Sequence, residues 1–141
     1  MRSGHTLPEL LAVATCVAAL TAVAAPRLRA ARDQALVRDA ATEIVTALDA
    51  ARAAAQRLGT LSIARFDTLA GAVRVIVERD TLLVVPFGAE LGVAFDASRD
   101  SVTYGPSGRG YGAANTSLIV RRGEAVDTVF VSRLGRVRRT R

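Results

Sequence analysis

The stretch Gly4-His5-Thr6-Leu7-Pro8-Glu9-Leu10-Leu11, continued by AVATCVAALTAVAA over residues 12–25, poses the question that decides the fold. Residues 7–25 have about the 20-residue length that a bilayer span requires. Glu9 is the only charged side chain among them. On insertion scales an acidic side chain at the centre of a membrane helix costs roughly 3 kcal/mol. Either something pairs with Glu9, or the segment is not an ordinary membrane anchor.

Two general readings stand side by side. A secretory signal peptide would use Ala22-Val23-Ala24 as an A-x-A cleavage site, although Arg2 alone makes a thin basic n-region. A plain signal anchor fits the length but gives Glu9 no purpose. The arginines at 27, 29 and 32, against Arg2 alone before the span, would place the C-terminal side in the cytoplasm by the positive-inside rule.

Beyond the span the periodicity is helical. Val37, Ala41, Ile44, Leu48, Ala51, Ala55 and Leu58 recur at alternating spacings of four and three, one stripe of a helix. Arg38, Asp39, Thr42, Glu43, Thr46, Asp49, Arg52 and Gln56 lie largely off that stripe. Gly59 suits a helix C-cap. One helix from about Thr6 to Leu58 would be ~80 Å long at its usual rise. Large residues are too few on the stripe for a strong coiled coil, so a packed domain is its expected partner.

After Gly59 the period changes to two. Strands are expected at 61–66, 72–78, 82–86, 91–95, 102–104, 117–122, 126–132 and 135–139, separated by turn residues such as Gly71, Asp80, Gly88 and Gly123. Residues 105–112, GPSGRGYG, are expected as a flexible connection. The expected class is α+β: a long N-terminal helix, transmembrane then amphipathic, packed on a small antiparallel sheet domain. The expected divisions are a leader at 1–4, a membrane segment at 5–25, the amphipathic continuation at 26–59 and a β-rich domain at 60–141.

The 141 residues are 50% hydrophobic but only 4% aromatic, which allows one domain with a modest core. The net charge is +6 and every basic residue except the lone histidine is arginine. Residues 121–141 hold seven arginines against Glu124 and Asp127, so five of those six charges lie there. A basic end on a near-neutral body suits an anionic partner such as nucleic acid, anionic lipid or an acidic protein surface. Catalytic chemistry is missing. His5 and Cys16 are the only histidine and cysteine, both at the N-terminal end, so no Ser/His/Asp or Cys/His set, no metal-ligand cluster and no intrachain disulfide is expected. The glycine-rich 105–112 lacks the GK[ST] of a phosphate loop. The chain is expected to be no enzyme and to need no cofactor.

The opening octapeptide resembles the prepilin processing motif of type IV pilins and type II secretion pseudopilins. That resemblance implies cleavage between Gly4 and His5 by prepilin peptidase on the cytoplasmic side, and N-methylation of His5, which stands where the family usually has phenylalanine. It makes Glu9 the fifth mature residue, pairing with a terminal ammonium in the packed filament. Buried charges persist when paired in this way. Pro8 then sits in the first helical turn, where its missing N–H costs nothing, and Pro26 falls where related pilins often carry a kinking proline.

Further on, Tyr104-Gly105-Pro106-Ser107-Gly108-Arg109, Ser117-Leu118-Ile119-Val120, Val129-Phe130-Val131-Ser132 and Gly135-Arg136-Val137-Arg138 look like the globular domain of the GspH/FimT family. The resemblance implies a single-pass inner-membrane subunit with a periplasmic or extracytoplasmic C-terminal domain, against the arginine bias. Its implied partners are other pilins or pseudopilins, the peptidase and the inner-membrane assembly platform. GspH-type members serve the type II secretion pseudopilus. FimT-type members serve type IV pili, and some bind DNA through the G-R-x-R end. For that role the residues here would be Arg133, Arg136, Arg138, Arg139 and Arg141, whose guanidinium groups suit phosphate. In a strand, Arg136 and Arg138 would share one face and Val137 the other.

Overall fold

Helix α1 spans Leu7–Leu58, 52 residues, with Glu9 in its first turn and Pro26 inside it. The computed structural model describes residues 6–111 and 115–140, so Gly4, His5, Gly112 and Arg141 lie outside the described residues. The chain divides into two units, Met1–Arg32 and Asp33–Arg141.

The described part of the first unit is helix alone. Its large apolar side chains Leu7, Leu10, Leu11, Val13, Val17, Leu20, Val23 and Leu28 are exposed. By length and composition this is a helix able to cross a membrane. Its polar side chains satisfy themselves, since the Thr15 hydroxyl donates to the Leu11 carbonyl at 2.7 Å and Thr21 to Val17 at 2.8 Å. Such bonds remove the need for water along an apolar stem.

The second unit is built on the stripe expected from periodicity. Val37, Ala41, Ile44, Leu48, Ala51 and Ala55 are fully buried, and Ala40, Ala47 and Ala54 widen the buried face. Alanines let the sheets approach closely. Leu58 departs from the stripe and is exposed, because the helix ends there and Gly59 turns away at φ 65°.

Two four-stranded antiparallel sheets supply the rest. One runs β3-β2-β1-β5, from β1 (Ser62–Asp67), β2 (Ala72–Val77), β3 (Asp80–Val85) and β5 (Ser101–Tyr104). The other runs β4-β6-β7-β8, from β4 (Ala94–Ala97), β6 (Thr116–Arg122), β7 (Ala125–Val131) and β8 (Val137–Thr140). Alternation sends Ala64, Phe66, Val73, Val75, Val102 and Tyr104 from the first sheet, and Phe95, Leu118, Val120, Val129 and Val131 from the second, into one core with α1. The small aromatic content is concentrated there. Phe95 meets Phe87 edge-on at 5.1 Å and Phe66 at 6.2 Å, linking elements of both sheets.

Two expectations need correction. The strand expected at 91–95 is instead the end of a short helix, α2 (Phe87–Leu91), a left-handed Gly92 at φ 62°, and then β4. A buried Phe87 and the glycine turn override the apolar run that suggested a strand. The last strand begins at Val137 rather than Gly135, since Gly135 closes the preceding turn at φ 75°. Residues 105–111 form a hydrogen-bonded turn: the Gly108 N–H donates to the Gly105 carbonyl, that of Gly105 to Arg109, and that of Tyr111 to Thr103.

The start of α2 passes directly over the β1–β2 turn. The Gly88 N–H donates to the Gly71 carbonyl at 2.7 Å. A Cβ on Gly88 would lie 2.6 Å from the Gly71 Cα and 3.0 Å from its oxygen, against backbone that cannot yield. Gly88→Ala is expected to destabilise by about 1–3 kcal/mol, the usual cost of overpacking, read as a lower unfolding temperature of the full chain in detergent.

Candidate functional site

Two regions carry the residues singled out by sequence: the start of the stem and the arginine-rich last strand. At the first, the Thr6 backbone N–H donates to the Glu9 carboxylate at 3.4 Å. With Thr6 at the N-cap and Glu9 three residues on, this is one half of a capping box. Its signal, Thr-x-x-Glu, is legible in the sequence at Thr6 and Glu9. The helix N-terminus also favours a nearby carboxylate. Glu9 therefore has a local role in starting α1, besides whatever it meets elsewhere.

At the second, the structure separates the arginines. Arg139 faces inward on β8, aligned with Val129 on β7. Its Nε donates to the Asp127 carboxylate at 2.7 Å, and its other nitrogens reach the Thr42 hydroxyl at 3.2 Å and the Arg38 carbonyl at 3.1 Å on α1. Asp127 is fully buried in side chain. Arg139 is thus a clamp between sheet and helix, its guanidinium engaged within the fold. Arg122 is engaged likewise, with Asp33 at 2.7 Å and the carbonyls of Leu91 and Gly92 at 2.6 and 2.8 Å, closing the end of α2. Arg121 meets Asp96 at the surface.

Arg133, Arg136 and Arg138 remain exposed. Among the described residues none of their guanidinium groups is in an ion pair. Arg133 lies in the β7–β8 turn, which closes through Gly135 N–H to the Ser132 carbonyl at 2.8 Å and Arg136 N–H to the Ser132 hydroxyl at 3.1 Å. Arg136 and Arg138 fall on the same, outward side, with Val137 and Arg139 on the other. They line a shallow groove of about 390 Å³ together with Asn115, Phe130 and Leu134. Sequence reading passed over Phe130, whose signal was its phase: it alternates out of step with the buried Val129 and Val131.

A third cluster is acidic. Glu43 on α1 has one carboxylate oxygen buried without a hydrogen-bond partner. Burial, then Glu90 on α2, then Asp39 raise its pKa above the ordinary value. A raised acid pKa means the fold prefers the protonated form. Its stabilising share is complete below the ordinary glutamate range and is lost as pH rises through the shifted value. Glu43→Gln is therefore expected to stabilise at pH 7 by less than about 1 kcal/mol. The gain should vanish below about pH 4, as compared by thermal unfolding at the two pH values. Burial also pushes the Tyr104 phenol up to about 12, reinforced by Asp49, so it stays neutral. Among the described residues no group of three or more His, Cys, Asp or Glu is placed to hold a metal ion.

No protein-family model and no curated protein matches the sequence. The fold is similar to that of the type IV minor pilin FimU of Pseudomonas aeruginosa strain PAO1 in two crystal forms. One aligns with a TM-score of 0.59 at 14% identity, covering 74% of this chain and 92% of that chain. The other gives 0.62 at 13% identity, covering 74% and 88%. At such identity the likeness is one of fold. The architecture is type IV pilin-like: a long apolar N-terminal helix whose continuation packs on small antiparallel sheets.

Proposed function

We propose that this chain is a non-catalytic minor pilin or pseudopilin of the GspH/FimT kind, assembled through its N-terminal helix into a type IV pilus or a type II secretion pseudopilus. One observation carries this reading. A single helix combines an exposed, predominantly apolar N-terminal stretch, headed by Glu9, with a second half that is the spine of an α+β core. An apolar surface of that extent needs lipid or like helices around it. The likeness to a minor pilin fold supports the same reading.

On this proposal the chain sits in the inner membrane as a single pass with its globular part outside the cytoplasm. Prepilin peptidase cuts after Gly4 and methylates His5, and the assembly platform moves the subunit into a filament of other pilins. The test is mass spectrometry of the mature N-terminus. A chain beginning at methylated His5 is the expected result. Retention of Met1 through Gly4 in cells possessing the peptidase, or a start at Ala25, overturns it.

A second reading is favoured by the exposed Arg136 and Arg138: the same subunit binds DNA, as some FimT-type members do. Phosphate contacts give sequence-independent affinity that falls with salt, which suits uptake of arbitrary DNA. Binding of duplex DNA by the full chain in detergent would be followed from about 50 to about 200 mM salt. Replacing both arginines by alanine is expected to weaken binding and lower the salt slope by about two. An unchanged affinity and slope would place DNA elsewhere.

A further inference from the structure

Only two described aromatic side chains stand well exposed, Tyr111 and Phe130, while Phe66, Phe87, Phe95 and Tyr104 are buried in the core. Phe130 is 45% exposed in the middle of a sheet face, where a phenylalanine would otherwise be costly to leave in water. Its register neighbours are Ser117 on β6 and Arg138 on β8. Leu134, Arg136 and Asn115 also line the groove, and among the described residues no carboxylate does. The nearby acid, Asp127, is turned inward and clamped by Arg139. The surface is therefore an uncovered ring bordered by two guanidinium groups, with no acid among the groove's described residues.

We propose that this outer sheet face binds single-stranded DNA, with Phe130 stacking on one unpaired base and Arg136 and Arg138 holding adjacent phosphates. The inference rests on the DNA-binding reading and adds the form of DNA. Charge selects a polyanion, and the ring selects one whose base faces are open. Every base has such a face, so stacking adds affinity without sequence preference. Inside a duplex those faces are stacked on each other, and only the phosphates are left to bind. The two arginines serve both forms, whereas Phe130 serves only the single strand. β8 is the edge of its sheet, so the strand of DNA has an open side from which to approach.

The experiment measures binding of the full chain in detergent to an oligo-dT of about 16 nucleotides, the upper end of the site size of a single-strand-binding OB fold, and to a duplex of equal length with both ends closed by hairpin loops of abasic linker. Phe130→Ala is expected to weaken oligo-dT binding about tenfold and to leave the closed duplex within about twofold. Phe130→Tyr keeps the ring and should bind as wild type. Phe130→Leu keeps apolar bulk without a ring and should behave like alanine. The side chain is on the surface, so all three are expected to fold, which unchanged thermal unfolding would verify. Arg138→Ala should weaken both DNA forms. If Phe130→Ala or Phe130→Leu binds oligo-dT like wild type while Arg138→Ala weakens both forms, stacking is refuted and the basic-surface reading survives. If wild type binds neither form, both fall. If Phe130→Ala lowers filament incorporation but not oligo-dT binding, the face is a subunit contact and the proposal is wrong.

Discussion

A chain carrying Glu9→Gln is expected to fold normally and fail to enter filaments, with incorporation reduced by about a hundredfold. That figure corresponds to the roughly 3 kcal/mol cost of an uncompensated charge within the apolar layer. On the proposed mechanism an ammonium in the packed stem is left without its carboxylate when Glu9 is neutralised. The choice of glutamine matters because of the contact seen here. Glu9 accepts the Thr6 N–H at the start of α1, and glutamine makes the same capping contact. Glu9→Gln thus removes the charge and keeps the cap, whereas Glu9→Ala removes both. Glu9→Asp keeps the charge on a shorter arm. If charge pairing governs assembly, glutamine and alanine fail alike. If capping governs it, glutamine assembles like wild type and alanine does not, and the pairing mechanism is abandoned. Incorporation is read by quantifying the subunit in sheared filaments against its membrane pool. The globular unit should be indifferent, because every core residue lies at Val37 or beyond.

The second large effect is on stability. Arg139→Ala leaves Asp127 buried with no cation, and breaking one side of a buried pair costs about 3–5 kcal/mol. It also removes the contacts to Thr42 and the Arg38 carbonyl that tie β8 to α1. The unfolding temperature of the full chain in detergent should fall by more than about 10 °C. Arg138→Ala, one residue away on the outward face, should stay within about 0.5 kcal/mol. Adding Asp127→Ala to Arg139→Ala should recover part of the loss, since the stranded carboxylate is then gone. Equal stability of the Arg138→Ala and Arg139→Ala chains would mean that the inward clamp contributes nothing in solution. The contrast matters for function as well. A loss of DNA binding in Arg139→Ala would report a damaged fold, while the same loss in Arg138→Ala would report a lost contact.

Much of the architecture was legible from periodicity. A run in step with 3.6 residues over Val37 to Ala55 has one buried face whatever it packs on, and that face is the one observed. Most strands fell within one to three residues of expectation because alternation fixes which side chains face inward. The short α2 was missed for a physical reason. Five residues are too few to show a helical period, and Phe87-Gly88-Ala89-Glu90-Leu91 reads equally as strand or turn until Phe87 finds Phe95. The Asp127–Arg139 pair was also hidden, although its phase was readable. Asp127 is in step with the buried Val129 and Val131, and an acid on an inward position demands a cation.

By itself, then, the amino-acid order determined the apolar stem, the placement of Glu9, the buried stripe of α1 and the alternating strands, because these depend on spacing along one chain. Only the tertiary structure decided which arginines are structural and which are exposed. That choice depends on where β8 begins and on which groups the facing strand and helix bring within reach. Residues 138 and 139 are the same amino acid in adjacent positions. One faces water beside Phe130 and the other faces a buried carboxylate, because successive side chains of a strand point to opposite sides of the sheet.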